Sequence, residues 1–215
     1  MIKKIIKEII DMSGNYSGYD IFTDWIKATA IAMSNQSDIF RGEIWRKREQ
    51  DYMDIVRKHG KDNILRFANM TGMLAVALED DMEDVLGRIY MEAGFGSKHT
   101  GQFFTPFHVS KLTADIALEL NQRANNGKIE LSEPSVGGGG MIIAAARTLK
   151  ERGVRYQKVL SVTAQDLDWK GVYMSYVQFG LLGIDATVIQ GDTLSGDRPG
   201  PEYIYYTPAR KEMLL

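Results

Sequence analysis

Three short stretches in the second half of the chain carry residues whose types and spacing suit the holding of a nucleotide-like cofactor. The first is Glu133-Pro-Ser-Val-Gly-Gly-Gly-Gly140. Consecutive glycines let the main chain turn sharply and let a ligand approach the backbone with no Cβ in the way. A helix that starts directly after them offers free N–H groups and a positive dipole end. The second stretch is Gln165-Asp-Leu-Asp168, because a carboxylate at the end of a strand can accept both hydroxyl protons of a ribose. The third is Gly191-Asp-Thr-Leu194, where Asp192 is placed to accept a hydrogen bond from an adenine amino group. Each stretch also has a plain structural reading: a flexible turn for the glycines, helix capping for Asp166 and Asp168, a turn aspartate for Asp192. We expect Asp168 to cap and Asp166 to bind. A pyrophosphate is disfavoured. No Lys-Ser/Thr follows the glycines, Ile142 stands where a dinucleotide fingerprint needs its third Gly, and Glu133 would repel the phosphates.

The elements that must position these residues follow from the pattern. Lys128–Ser132, Val159–Ala164, Ala186–Gln190 and Tyr203–Tyr206 read as strands, with helices over Met141–Arg152 and Trp169–Leu182 between them. Strand, helix, strand, helix, strand is the pattern of a parallel sheet covered on both faces. Thr105-Pro106 is expected to start a helix whose stripe is Val109, Leu112, Thr113, Ile116, Ala117 and Leu120. Upstream the texture is helical. Ile2, Ile5, Ile6, Ile9 and Ile10 form one stripe. Further helices are expected over Ile21–Ser34, Glu43–Lys58, from a cap at Asp62 to Leu78, and from a cap at Asp80 or Asp81 to Met91. The fold class is therefore α/β: a Rossmann-like sheet of about four strands preceded by an all-helical region. The Gly-containing stretch Gly94–His99 is the expected boundary, giving residues 1–95 and 96–215.

Composition narrows the function classes. The 215 residues carry 26 Lys+Arg against 28 Asp+Glu, so the net charge of −2 gives no global nucleic-acid footprint. The basic group Arg46, Lys47, Arg48, Arg57 and Lys58 reads as a solvated helix face rather than a phosphate grip. With no Cys there is no thiolate site or disulfide, and a cytoplasmic setting fits. No apolar run reaches the roughly 18 residues of a membrane span. The charged opening segment is unlike a secretory leader. His59, His99 and His108 have no metal-ligand spacing.

Four elements in order resemble the adenine-N6 DNA methyltransferases, in particular the modification subunit of type I restriction systems and small phage-borne relatives. Gly101-Gln-Phe-Phe-Thr-Pro106 looks like the family's Gly-Gln-Phe-Tyr/Phe-Thr-Pro element, preceded by Leu86-Gly-Arg-Ile-Tyr90. The Gly loop is similar to Asp-Pro-x-x-Gly-Ser-Gly-Gly, with Glu133 for Asp and Gly138 for Ser. Gln165-Asp166 and Gly191-Asp192 match the ribose and adenine positions. The resemblance implies S-adenosylmethionine as cofactor. It would be held by Gln102, Phe103, Phe104, Thr105 and Pro106, by Glu133, Ser135, Gly137, Gly138 and Gly139, and by Asp166, Leu167, Asp192 and Thr193.

One element departs. The family's catalytic Asn/Asp-Pro-Pro-aromatic tetrapeptide occurs nowhere in the chain, and Thr207-Pro-Ala-Arg210 stands at its place. An adenine amino group is a poor nucleophile, so such enzymes extrude the base and accept its protons with the Asn/Asp side chain and a carbonyl as positive charge develops. Thr207 is shorter and Arg210 replaces the aromatic ring. Thr207 and Pro208 are thus a degenerate catalytic position, and methylation by this chain alone is expected to be weak or absent. The competing expectation is a non-catalytic cofactor-binding or regulatory subunit of a restriction-modification or phage complex. Expected partners are DNA and a specificity or companion methyltransferase subunit. A dinucleotide oxidoreductase is disfavoured by the broken fingerprint.

Overall fold

In the computed structural model, residues 1–96, 104–120, 127–196 and 199–211 are described. Helix α1 (Ile2–Met12) buries Ile5 and Ile9 and leaves Ile10 exposed. Helix α2 (Gly18–Gln36) starts at a reciprocal cap between Ser17 and Asp20. Helix α3 (Glu43–Asp80) joins the two expected helices across a kink at Gly60, whose φ of 75° is a backbone state that favours glycine. Helix α4 (Val85–Glu92) is capped by Asp84, not by Asp80 or Asp81, because the Asp84 carboxylate accepts the Gly87 N–H.

Helix α5 (Phe107–Leu120) corrects the expected stripe. It buries Ser110, Ala114 and Leu118 and leaves Val109, Leu112 and Ile116 outward. The inner face packs on α6 (Gly140–Glu151), where small side chains on both helices allow close approach. Thr148 adds a hydrogen bond to Asp115 across that seam.

The sheet holds β1 (Ile129–Glu133), β2 (Leu160–Asp166), β3 (Asp185–Gln190) and β4 (Ile204–Tyr206), in that spatial order. The short helix α7 (Tyr156–Val159) leads into β2, and α8 (Trp169–Leu182) joins β2 to β3. Strands β1 to β3 are parallel, with Leu131 beside Val162 and Val162 beside Ala186. Strand β4 runs antiparallel to β3, with Val188 beside Tyr205. A final turn of helix, α9 (Pro208–Lys211), follows.

This order overturns the expectation of a sheet covered on both faces. Both crossovers move the same way along the sheet, so the right-handed rule puts α6 and α8 on one face. That face is closed over Leu160, Val162, Ala164, Ala186 and Val188. The opposite face carries Glu130, Ser132 and Thr163, which are exposed. Helix α8 is in turn covered by α2, α3 and α4, so it lies buried between helices and sheet. One apolar cluster runs from Ile5 through Trp25 and Phe179 to Val188 and Tyr205, without a break near residue 95.

Candidate functional site

The C-terminal ends of β1, β2 and β3 bring the three cofactor-type stretches together, and Asp166 laces them. Its carboxylate accepts the Gly137 N–H at 2.7 Å with one oxygen and the Asp168 N–H at 2.9 Å with the other. Its own carbonyl accepts the Gly191 N–H at 3.0 Å. Two further bonds close the lacing. The Thr193 hydroxyl donates to the Pro134 carbonyl at 2.7 Å, and the Gln190 amide donates to the Leu167 carbonyl at 2.8 Å. Asp168 caps α8 through the Lys170 N–H at 2.9 Å, as expected. Asp166 itself is almost wholly buried, with a main-chain partner on each carboxylate oxygen.

The glycines are needed for packing as much as for openness. A Cβ on Gly138 would sit 2.3 Å from the Asp84 carboxylate. One on Gly139 would sit 2.6 Å from the Phe179 ring, and one on Gly137 3.1 Å from Phe104. Gly137 and Gly139 also have positive φ, at 51° and 95°. The loop is thus wedged between α4, α8 and the Phe104 ring, with its main chain aimed at the mouth of α6.

Asp84 is the residue that sequence reasoning missed. Its carboxylate accepts from the Gly87 N–H and from the Gln178 amide, each at 2.8 Å. The same Gln178 amide donates to the Gly138 carbonyl at 2.6 Å, while its own oxygen accepts the Leu86 N–H at 3.0 Å. Burial pushes the Asp84 carboxyl up, against the opposing pull of the Gln178 and Gly87 bonds. The one available signal was an acid three residues before Gly87, a capping pattern that composition does not distinguish from Asp80 or Asp81.

Leu167, just after β2, is 67% exposed, and Leu194, 95% exposed, shares the segment after β3 with exposed Asp192. Ser135 is exposed, and its N–H is turned back on Glu133 at 3.2 Å. Phe104 packs edge to face on Tyr90 at 5.3 Å, and Thr105 and Pro106 border a cavity of about 840 Å³ with Asp84, Arg88 and His108. Gln102 and Phe103 lie outside the described residues.

Thr207 and Pro208 are not brought to this edge. Because β4 is antiparallel, its end lies at the start of β3, across the sheet from the Gly loop. The buried Thr207 hydroxyl accepts the Ala186 N–H at 3.0 Å and donates to the Ile184 carbonyl at 2.8 Å. Arg210 reaches Ser161 and Asp185 at that same far edge. The basic face of α3 is only partly solvated. Arg48 lies over the Tyr205 ring at 3.8 Å and donates to the Ile204 carbonyl at 2.8 Å, holding the helical region to β4.

The profile of the family described as N-6 DNA methylase matches residues 81–207, more than half of the chain, from just before the Asp84 cap to Thr207. The chain belongs to the N-6 DNA methylase family. No curated protein matches it. Similar solved structures include the following two. One is assigned as a class I S-adenosylmethionine-dependent methyltransferase of Listeria monocytogenes, at 12% identity and a TM-score of 0.49, over 92% of this chain and 56% of that one. The other is the methyltransferase subunit of a type I restriction-modification system from Streptococcus thermophilus, at 21% identity and a TM-score of 0.46, over 80% of this chain and 37% of that one. The chain spans less than two thirds of either.

Proposed function

We propose that this N-6 DNA methylase family chain binds S-adenosylmethionine at the C-terminal edge of β1 to β3 and by itself methylates adenine weakly or not at all. The observation that carries the first half is the lacing of the three loops on Asp166. It supports a preformed site, since the ligand-facing main chain is held before anything binds. Gly137 to Gly139 and the start of α6 would meet the amino-acid end of the cofactor. Leu167, Leu194 and Asp192 would hold its adenine. Phe104, Thr105 and Pro106 would close the Gly-loop side. Asp166 acts by positioning the loops, with its remaining lone pairs directed at the ribose. When bound, the cofactor supplies an electrophilic methyl group on a sulfonium.

The second half rests on Thr207. Its hydroxyl is engaged by β3 main chain, on the edge away from the cofactor loops. That favours a cofactor-holding or regulatory subunit over a self-sufficient enzyme. DNA, a specificity subunit or a companion methyltransferase, and a cytoplasmic restriction-modification setting complete the reading. Calorimetric titration with S-adenosylmethionine tests the first half, and absence of a binding isotherm sinks it. Incubation with methyl-labelled cofactor and mixed-sequence DNA tests the second. Robust label in N6-methyladenine would show that some other residue does the work assigned to the missing tetrapeptide.

A further inference from the structure

Beside the same sheet edge, on the β4 side, lies a second cavity of about 320 Å³ that the cofactor reading does not use. Its wall is aromatic. The Trp169 ring stacks with Tyr173 at 5.3 Å and 23°, and with Tyr203 at 5.9 Å and 29°. Tyr205 meets Trp169 and Tyr173 edge-on and fixes their tilt. Tyr205 is in turn held under the Arg48 guanidinium. The platform is therefore rigid, and its outermost ring, Tyr203, is 38% exposed. Trp169 follows the Asp168 cap, and Tyr203 precedes Ile204, which pairs with Ile189 near the end of β3.

The polar residues around the platform are of two kinds. Lys47 is exposed and has no ion-pair partner among the described residues. Lys27 is paired with Asp51 at 3.0 Å. Glu202 borders the cavity as a half-buried carboxylate. The cavity that holds the Tyr203 ring thus also offers a hydrogen-bond acceptor, Glu202, and a cation, Lys47. The volume is on the scale of one nucleotide and too small for a duplex.

We propose that this cavity binds an unpaired base of DNA. The base stacks on the Trp169–Tyr203 platform, its exocyclic amino group donates to Glu202, and its phosphate lies on Lys47. Stacking gives affinity with little sequence preference. The Glu202 acceptor adds a bias toward bases that carry an amino group, which thymine lacks. DNA as the polymer rests on the family reading, but the site does not need the cofactor.

The test is fluorescence anisotropy of labelled single-stranded oligo(dA) and oligo(dT), in the absence of S-adenosylmethionine. Failure of the cofactor reading then leaves the result intact. Oligo(dA) is expected to bind more tightly than oligo(dT), with affinity falling as salt rises. Tyr203→Ala and Lys47→Ala should each weaken oligo(dA) binding, the first by roughly tenfold, on the scale of one lost base stack. Arg155→Ala, which removes an exposed cation elsewhere, should leave binding within about twofold. Both test positions are exposed, so circular dichroism should show the variants folded. No binding by the wild-type chain overturns the proposal, as does equal binding by all three variants. Equal affinity for the two oligomers overturns the role given to Glu202.

Discussion

The tightest constraint on any single residue of the site falls on Gly138. The related loops carry Ser at this position, so Gly138→Ser looks like a return to type. Here its Cβ would lie 2.3 Å from the Asp84 carboxylate, which Gln178 and the Gly87 N–H hold in place. A buried carboxylate fixed from two sides cannot give way cheaply, so the substitution should cost about 1–3 kcal/mol. Urea unfolding checks it, and an unchanged midpoint would show that Asp84 can move. Asp84 also predicts a pH dependence. Its carboxyl is raised by burial above the ordinary value of 3.8. The folded chain therefore keeps this proton where the unfolded chain has lost it, and stability falls as pH rises from about that value toward the folded pKa. Asp84→Asn keeps an oxygen for the Gly87 and Gln178 donors and removes the titration. The variant should gain on the wild type as pH rises above about 4, over the range in which Asp84 titrates in the folded chain. A difference that stays constant across that range would assign the pH dependence to other groups.

At the scale of elements, the two ends of the sheet do separate jobs, and paired substitutions should separate them. Thr207→Val removes the acceptor of the Ala186 N–H and the donor to the Ile184 carbonyl. Leaving those buried groups unpaired should cost about 1–3 kcal/mol of stability, with S-adenosylmethionine affinity unchanged. Asp166→Ala frees the Gly137 and Asp168 N–H groups and slackens all three loops. It should weaken the cofactor by about tenfold or more, and isothermal titration of both variants reads the contrast. Equal loss of affinity in the two would mean that the sheet transmits damage from end to end. Much of this architecture was legible beforehand, for stated reasons. Helix α8 was read residue for residue with Asp168 as its cap, and in the structure Gly183 ends it at a positive φ of 66°. The interruption of α3 was expected between Lys58 and a cap at Asp62, and the structure puts it at Gly60 as a kink within one helix. The direction of β4 was not legible, since three alternating residues look alike whichever way they pair. Nor was the inner face of α5. Its aliphatic residues promised a stripe, but the seam with α6 selects small side chains instead.

At the scale of the whole molecule, the change of texture near residue 95 marks a change of secondary structure and not a break in the core. Helix α8 buries every residue from Lys170 to Phe179, and its outer side is covered by α2, α3 and α4. Gln178 reaches out of α8 to bind Leu86 and Asp84, while Arg48 reaches in from α3 to hold β4. The helical region is therefore part of the site's foundation, because it fixes both the Asp84 wedge under the Gly loop and the tilt of Tyr205. A chain starting at residue 96 would expose the apolar outer side of α8 and lose the Asp84 and Arg48 contacts together. Burying a large apolar side chain is worth about 1.5–3 kcal/mol, and several on α8 would be uncovered against a total stability of only about 5–15 kcal/mol. The 96–215 fragment should therefore lack a cooperative thermal transition and associate through α8. Size-exclusion chromatography and near-ultraviolet circular dichroism read both effects. A monodisperse fragment that melts cooperatively and binds S-adenosylmethionine like the full chain would show that the sheet region stands alone and that the helices are only appended to it.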